Sequence, residues 1–388
     1  MRPLLWVLAV VGAVAAFYIS MHFKRLPFIA CLGKKKKWLP WTIAGIICLP
    51  LWFFSAVHFT LLMAFAGYLF GLYLITDFIW LFIRSDKHKG SALRRFWDKY
   101  IWNGLAMLVI AAVITGCGAI NAEHIQVTDY SVKVDKTVAK VDKTTAQEPL
   151  NIVMIADMHI GTGINKKELR EMPQKINKLH PDVVCMAGDI FDERTTRSDM
   201  KVLRASLSKI KSRYGTYFVY GNHDLGKYNM DHPWGRTEVE ATLRGAGVHI
   251  LEDKTVLINH RFYIVGRKDW SETAVPERAQ PRRTIAQLTR GLNKKYPVIL
   301  LDHRPLADQI KQARAAGVDL QLSGHTHAGQ LTPAGLLDKY IFHVNAVEYG
   351  MKTYGNYRII VTSGYGTWTM PVRVGSPCEI VDVRMTGE

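Results

Sequence analysis

The stretch Asn151-Ile152-Val153-Met154-Ile155-Ala156-Asp157-Met158-His159 decides the fold. It begins as an apolar run of strand length and ends in a carboxylate and an imidazole. A short, continuous apolar run of this kind is typical of a strand that is buried on both faces. Six similar segments follow it, so the chain contains several strands of one sheet system. The predicted strands are 151–156, 182–187, 216–220, 262–265, 297–301, 319–322 and 358–362.

Segments with helical periodicity alternate with these strands. The predicted helices are 167–179, 198–212, 237–245, 284–293 and 306–316. Strands that alternate with amphipathic helices indicate an α/β domain built on a central sheet. The chain from residue 121 onward is long enough to bury a sizeable core of this type.

Polar side chains follow five of the predicted strands at the point where each strand ends. They are Asp157 and His159, Asp189, Asn222 with His223 and Asp224, Asp302 with His303, and His325 with His327. Ligands of open α/β sheets bind outside the carboxyl ends of the strands, so we expect these loops to converge on one crevice. A lone histidine in such a loop is more often a structural residue, but this ordered set favours metal binding.

The donor atoms in this crevice are too many for one metal ion. Two carboxylates, an amide and four imidazoles suit divalent cations of the Mn, Fe, Zn or Co type. Two such cations about 3.5–4 Å apart can hold both oxygens of a phosphoryl displacement, and a carboxylate must then bridge them. Asp189 is the predicted bridge because it lies centrally and Gly188 lets the backbone turn tightly. Gly161, Gly221 and Gly324 are expected to free the chain near the other ligands in the same way.

These residues carry a family resemblance. The blocks are Asp157-Met158-His159, Gly188-Asp189-Ile190-Phe191-Asp192, Gly221-Asn222-His223-Asp224, His303, and Gly324-His325-Thr326-His327. In this order they resemble the five motifs of the calcineurin-like metallophosphoesterases. The context of the last block, with Gly364-Tyr365-Gly366 and Arg373 after it, is similar to a bacterial membrane-linked branch of that family. Cys378 departs from the Pro-Glu pair expected near the end of the chain.

The resemblance implies a fold and a set of roles. The fold would be a four-layer α/β/β/α sandwich over residues 151–388. Asp157, His159 and His327 would bind one metal ion, Asn222, His303 and His325 the other, and Asp189 would bridge them. His223 would protonate the leaving oxygen while Asp224 holds its imidazole. The implied reaction is hydrolysis of a phosphate ester by metal-activated hydroxide, with Mn the favoured metal.

The first 120 residues have a different composition from the rest. They contain 13 Lys and Arg but only three acids, which is +10 of the formal net charge of +17. Their apolar runs predict an all-α transmembrane segment of about four helices: 4–20, a hairpin over 41–83 that turns near 55–60, and 104–120. The five cysteines are scattered and form neither a disulfide framework nor a metal motif. Residues 121–150 form a linker, in which the alternation around Val132 and Val134 predicts an edge strand.

Orientation follows from the two basic loops between these spans, 24–37 and 84–99. Each has six cations, and short basic loops stay in the cytoplasm. The chain after residue 120 is therefore predicted to be extracytoplasmic, on a multi-pass protein of the cell membrane. Asp77 is a functional candidate at membrane depth, although we prefer the interpretation that it pairs with a neighbouring helix.

Three functions compete. The favoured one is a membrane-anchored, two-metal phosphoesterase that hydrolyses a phosphodiester or pyrophosphate bond in a lipid or cell-envelope substrate. The second is a transporter or receptor whose outer domain binds metal without hydrolysis, and a third is a degenerate phosphoesterase that only binds. Nucleic acid is not an expected partner of an extracytoplasmic domain, whereas a cytoplasmic domain would reopen a nucleotide-linked lipid pyrophosphatase.

Overall fold

The computed structural model describes residues 2–33, 36, 38–46, 61–85, 90–136, 148–225, 234–269, 281–337, 340 and 345–387. The chain divides into two compact units. The first consists of Met1–Ile120 together with Thr369–Val374, and the second of Asn121–Trp368 with Gly375–Glu388.

The first unit is helical. Its helices are α1 (Arg2–Phe23), α2 (Pro27–Gly33), a helical stretch at 39–46, α3 (Leu61–Ile83), α4 (Ala92–Phe96) with a π-helical continuation (Trp97–Ile101), and α5 (Leu105–Glu123). Among the described residues, α3 and α5 are the helices long and apolar enough to cross a membrane. The coarse expectation of apolar helices is therefore confirmed for these two. The predicted hairpin turn at 55–60 lies outside the described residues.

A polar cluster joins α1 to α3 inside the first unit. The Tyr18 hydroxyl donates to Asp77 Oδ2 over 2.7 Å, and His22 Nε2 lies 3.1 Å from the same oxygen. The Arg25 guanidinium lies 3.6 Å from Asp77 Oδ1, and the His22 ring stacks on Tyr73 at 4.1 Å. The interpretation that Asp77 pairs with a neighbouring helix is confirmed.

The second unit contains two six-stranded mixed sheets. The first sheet comprises β1 (Ile125–Lys133), β2 (Leu150–Ile155), β3 (Val183–Met186), β4 (Thr216–Phe218), β5 (Val248–Ile250) and β12 (Cys378–Thr386). Its order is β1-β12-β2-β3-β4-β5, and only the β12–β2 pair is antiparallel. The alternating segment in the linker is thus an edge strand, paired with β12 through Val132 opposite Met385.

The second sheet also has six strands, but its antiparallel pairs lie at its edges. It comprises β6 (Lys254–Ile258), β7 (Phe262–Gly266), β8 (Val298–Leu301), β9 (Leu320–Ser323), β10 (Gly350–Tyr354) and β11 (Tyr357–Val361). Its order is β10-β11-β9-β8-β7-β6, with a parallel centre and an antiparallel pair at each edge. Crossover helices link the parallel strands, as parallel pairing requires. These helices are α6 (Lys166–Asn177), α7 (Arg197–Leu207), α8 (Arg236–Arg244), α9 (Ile285–Leu288) and α10 (Ala307–Ala315).

Side-chain alternation along the strands produces the layers. On β2, Ile152 and Met154 face a core shared with Ile264, Ile299 and residues of the other sheet. The intervening Val153 and Ile155 face the helices α6, α7 and α8 in a second core. The opposite face of the second sheet packs in the same way on α9 and α10. The two sheets therefore lie face to face between helices, and the predicted α/β class is confirmed.

Two helices that follow site loops begin with capping boxes. Asn165 accepts from the backbone N–H of Glu168, whose carboxylate accepts from the N–H of Asn165. Thr196 and Asp199 make the same reciprocal pair at the start of α7. Such caps satisfy N–H groups that a helix leaves unpaired and fix where it begins. The loops after β2 and β3 are therefore held at both ends.

Candidate metal centre

The predicted site residues lie in loops at the carboxyl ends of β2, β3, β4, β8 and β9. The loops are tied to one another through the backbone, since the N–H of Asp157 donates to Gly188 O and that of His159 to Asp189 O. Asp157, His159 and His303 are fully buried, and Asp189 is nearly so. The structure thus brings the sequence-predicted ligands of both sheets to one edge of the domain.

The ligands themselves adopt a left-handed backbone. Positive φ values occur at Asp157 (52°), His159 (45°), Asp189 (53°), His325 (75°) and His327 (49°). This region is sparsely populated by residues other than glycine, although Asp, Asn and His tolerate it best. Each such residue costs on the order of 1–3 kcal/mol, and such strain concentrates at functional sites. The sharp turns aim successive side chains at one point.

One cluster of donors consists of Asp157, His159 and His327, whose ligand atoms lie within 4.8 Å of one another. The Nε2 atoms of His159 and His327 face each other at 3.1 Å. His327 Nε2 also lies 3.6 Å from Asp157 Oδ1. Three donors thus point at one small volume.

A second cluster consists of Asp189, His303 and His325. His303 Nε2 lies 3.1 Å from Asp189 Oδ2, while His303 Nδ1 is bonded to Ala187 O at 2.8 Å. The same Asp189 oxygen lies 3.8 Å from His159 Nε2 of the first cluster. Asp189 therefore stands between the two clusters, as a bridging carboxylate must.

These donors fit divalent cations. Asp157 Oδ2 is buried and has no hydrogen-bond partner among the described residues. A separation of 3.1 Å between two imidazole nitrogens is favourable only when a proton or a cation lies between them. The outer nitrogen of His159 is held by an oxygen acceptor, since Asp192 Oδ2 lies 3.0 Å from His159 Nδ1. Acceptors of this kind orient metal-bound histidines in proteins.

Asn222 lies on the loop after β4 and is buried with the other predicted ligands. The next residue ties this loop to the bridge, since the N–H of His223 donates to Asp189 Oδ1 over 2.8 Å. Asn222 therefore directly precedes, in sequence, the residue whose N–H contacts the bridging carboxylate.

The expected contact between Asp224 and the His223 imidazole is corrected by the structure. The Asp224 carboxylate accepts four backbone N–H groups, from Asp189, Ile190, Phe191 and Gly221, at 2.6–2.9 Å. These donors hold it beneath the β3 loop, so it fixes the backbone that carries the bridge. The His223 ring is instead paired through Nδ1 with Glu193 Oε2 at 2.9 Å. Glu193 takes the place that the sequence had given to Asp224.

The pKa values of the site residues are shifted because carboxylates and imidazoles are packed closely together. Burial would lower the pKa of His223, but the charges of Asp189 and Glu193 outweigh it and raise that pKa to about 9. Burial would likewise lower the pKa of His303, yet Asp189 raises it. Burial raises the pKa of Asp157 to about 6. A cation bound at His303 Nε2 must therefore compete with a proton.

Two glycines allow the loops to approach closely. A Cβ on Gly221 would lie 2.2 Å from Asp189 Oδ1, and one on Gly324 would lie 2.1 Å from Asp157 Oδ2. Neither glycine has a positive φ. Their role is thus to leave room for the two carboxylates, which differs from the turning role expected from the sequence.

Sequence reasoning missed the residues that orient the histidines. Asp192 was part of a recognised block without a role, and Glu193 follows it directly. The available signal was their position in the same loop as Asp189, since ligand-orienting carboxylates often lie beside the ligands in sequence.

Comparison with known proteins agrees with this geometry. The family model of the calcineurin-like phosphoesterases matches residues 150–329. A "transmembrane protein with metallophosphoesterase domain" from Danio rerio is 28% identical over 71% of this chain and 61% of its own length. An uncharacterized metallophosphoesterase from Helicobacter pylori is 30% identical, over 65% of this chain and 64% of its own length. A third, from Aquifex aeolicus, is 29% identical over 67% of this chain and 94% of its own length.

The first two relatives are matched over somewhat less than two thirds of their own length. The matched region includes every strand-end loop of the site up to His327. Residues 150–329 of this chain therefore form a calcineurin-like metallophosphoesterase domain, the domain type of metal-dependent phosphoesterases.

Proposed function

We propose that the protein is a membrane-anchored, two-metal phosphoesterase that hydrolyses a phosphodiester or pyrophosphate bond in a lipid or cell-envelope substrate. The observation that carries this proposal is the position of Asp189 Oδ2, 3.1 Å from His303 and 3.8 Å from His159. A carboxylate shared by two donor clusters is the arrangement that two closely spaced divalent cations need.

The chain's own residues would hold these cations in two sets. Asp157, His159 and His327 would bind one, Asn222, His303 and His325 the other, with Asp189 between. Bound divalent cations supply positive charge that polarises the phosphoryl group and lowers the pKa of a water molecule. Mixed nitrogen and oxygen donors accept Mn, Fe, Zn or Co, and we propose Mn.

His223 is the proposed general acid. Glu193 orients its ring through Nδ1, and the charges of Asp189 and Glu193 raise its pKa to about 9, which favours the imidazolium. A protonated imidazole beside the phosphoryl group can give a proton to the leaving oxygen. Asp224 contributes by fixing the β3 loop through four backbone N–H groups.

Membrane anchoring is supported by α3 and α5 and by relatives whose names describe transmembrane proteins. We propose four spans with both basic loops in the cytoplasm, which makes the phosphoesterase domain extracytoplasmic. An anionic phospholipid, a lipid-linked sugar phosphate or an envelope pyrophosphate would then be within reach of the site.

The activity is tested with the full chain in detergent, stripped with EDTA and assayed on bis-p-nitrophenyl phosphate with and without Mn²⁺. We expect metal-dependent turnover that falls on the order of 10³-fold in Asp189→Asn, because the shared ligand is worth several kcal/mol. The matched control Asp129→Asn changes an exposed carboxylate on β1 and should keep full turnover. Equal turnover in Asp189→Asn and the wild type would refute the proposal.

The orientation is tested with Lys201→Cys, which places a thiol on the exposed face of α7. Cys31, Cys48 and Cys117 are first replaced by Ser, so that the new thiol is the accessible one. We expect a membrane-impermeant maleimide to label intact cells. Labelling only after the cells are lysed would place the domain in the cytoplasm.

A further inference from the structure

Trp368 is an exposed aromatic side chain beside the proposed general acid. Its side chain is 47% exposed, although the seven residues before it are buried. The centroid of its ring lies 6.1 Å from that of His223, with the two planes at 58°. Single exposed apolar residues are ordinary, so exposure alone carries no meaning. Its position beside His223, the proposed general acid, is what calls for a function.

The backbone of Trp368 is held by the metal loop itself. Gln330 Nε2 donates to Trp368 O over 2.9 Å, and the N–H of Trp368 donates to Gln330 Oε1 over 2.7 Å. Gln330 is buried, follows His327 by three residues and has an unusual backbone conformation of φ 39°, ψ −46°. Its N–H in turn donates to His327 O. The backbone that carries the exposed ring is therefore fixed before any substrate arrives, which reduces the entropy that binding would cost.

The chain directly after Trp368 enters the segment Thr369–Val374, which packs with the helical unit. Within that unit the N–H of Arg373 donates to Gly118 O over 2.9 Å. A Cβ on Gly118 would lie 2.7 Å from Val372 and 2.8 Å from Val374, so this glycine lets the segment lie against α5. Trp368 is therefore joined in sequence to the part of the molecule that contains the apolar helices.

We propose that Trp368 determines substrate specificity by contacting the apolar part of the leaving group, and that the substrate is a phosphodiester of an acylated glycerol. This inference rests on the proposed function. In the reaction, water oxygen bonds to phosphorus, the bond between phosphorus and the diacylglycerol oxygen breaks, and the alcohol leaves with a proton from His223. The proton that the water loses passes to solvent, and His223 regains one from solvent. A Trp ring offers a large apolar face, which a small polar alcohol would not use.

The test compares two substrates that differ only in their acyl chains, dioctanoyl-phosphatidylglycerol and its deacylated form, glycerophosphoglycerol. The full chain with Mn²⁺ is assayed in detergent, and the released alcohols are measured by mass spectrometry. For Trp368→Ala we expect KM for the acylated substrate to rise about tenfold, with kcat within about twofold. KM for the deacylated substrate should change by less than about twofold, and Trp368→Phe should recover most of the loss.

The control variant is Leu257→Ala, which removes an exposed apolar side chain from β6. It should leave both KM values unchanged. Equal effects of Trp368→Ala on both substrates would overturn the inference, as would no effect on either or wild-type cleavage of the deacylated substrate alone. Turnover of bis-p-nitrophenyl phosphate without cleavage of either glycerol diester would also overturn it while leaving the proposed function intact. No turnover of any of the three substrates would refute the proposed function itself.

Discussion

Two aspartates, Asp77 in α3 and Asp157 after β2, lie in clusters of similar composition but differ in how their oxygens are used. Asp77 has a partner for each oxygen, from Tyr18 and His22 on one side and Arg25 on the other. Asp157 Oδ1 accepts the N–H of His325 over 2.8 Å, whereas Oδ2 has no hydrogen-bond partner among the described residues. Both clusters contain histidine, so residue type alone does not separate them.

The difference teaches how to tell a structural carboxylate from a ligand. A carboxylate whose oxygens are all paired, such as the half-buried Asp77, has its charge compensated by the protein, and it ties elements together. A buried carboxylate oxygen without a donor carries an uncompensated charge, which a cation can satisfy. We therefore expect Asp77 to stabilise the helical unit and Asp157 to serve the reaction.

The largest expected effect is a loss of turnover when Asp157 is replaced by its isosteric amide. The same replacement of Asp77 provides the comparison. Asp157→Asn should lower metal-dependent turnover of bis-p-nitrophenyl phosphate on the order of 10³-fold, because it removes a charged ligand worth several kcal/mol. Asp77→Asn should keep turnover within about twofold and lower the helical unit's stability by about 1 kcal/mol, the scale of one membrane hydrogen bond. Turnover and thermal unfolding in detergent are measured for both.

The opposite pattern would break the comparison. Loss of turnover in Asp77→Asn, with its unfolding temperature unchanged, would show that the Asp77 cluster serves the reaction and is not only structural.

A smaller effect is expected from Gly324→Ala. The new Cβ would lie 2.1 Å from Asp157 Oδ2, so the carboxylate must move out of line with His159 and His327. We expect Mn²⁺ affinity, measured by calorimetry, to fall about 10–100-fold, as when groups that orient metal ligands are lost. Gly116→Ala is the matched control, since nothing lies within 4 Å of its Cβ position. Unchanged affinity in Gly324→Ala would show that the Asp157 carboxylate is not held in place for a cation.

Asp192→Asn should have a weaker effect of the same kind. The amide can still bond to His159 Nδ1, but it no longer stabilises the ring with a full negative charge. We expect Mn²⁺ affinity to fall about tenfold, at the low end of the range for such residues. Circular dichroism of the variant should match that of the wild type. If Asp192→Asn lowered Mn²⁺ affinity as much as Asp157→Asn does in the same assay, Asp192 would be a metal ligand instead of an orienting residue.

The smallest effect concerns Asp382, whose Oδ1 is also buried without a hydrogen-bond partner among the described residues but has no histidine cluster around it. Burial, and the charge of Asp129 opposite it on β1, raise its pKa to about 6. The folded state then binds a proton more tightly than the unfolded state, so this group lowers stability as the pH rises from about 4 to about 6.

Asp382→Asn should therefore raise the unfolding temperature by about 2–4 °C at pH 7.5, equivalent to about 1 kcal/mol after solvent screening. The gain should vanish below about pH 4, where the wild-type carboxyl is already neutral. Turnover should not change. A gain that is equal at both pH values would show that ionisation of the Asp382 carboxyl is not its cause.

The sequence allowed prediction of which residues converge but not of how each is held. Ligands at the ends of parallel strands must meet, because those ends lie along one edge of a sheet, and Asp189 and His303 do meet at 3.1 Å. The left-handed backbone at Asp157 and His159 could not be predicted, since it results from tertiary packing that overrides local preference. Tertiary packing also explains why His223 pairs with Glu193 and not with Asp224. Four backbone N–H groups bind the Asp224 carboxylate and hold it away from the ring.

Four strands were not predicted, namely β5, β6, β10 and β12. β5 has only three residues, and β6 and β10 lie at sheet edges with every position partly exposed or exposed. β12 is long, but Glu379 and Asp382 interrupt its apolar pattern. Glu379 is fully buried because Thr362 and the N–H of Ser363 donate to it, contacts that no local pattern reveals.

The position of β12 has a consequence for the order in which the protein is made. It lies between β1 and β2, so the strand latest in sequence joins one of the earliest to the rest of its sheet. During translation, β1 leaves the ribosome directly after α5 and must wait without its neighbour until Cys378–Thr386 has been synthesised. The helices that precede it can therefore form while the first sheet is still incomplete, and that sheet closes only after β12 has been made.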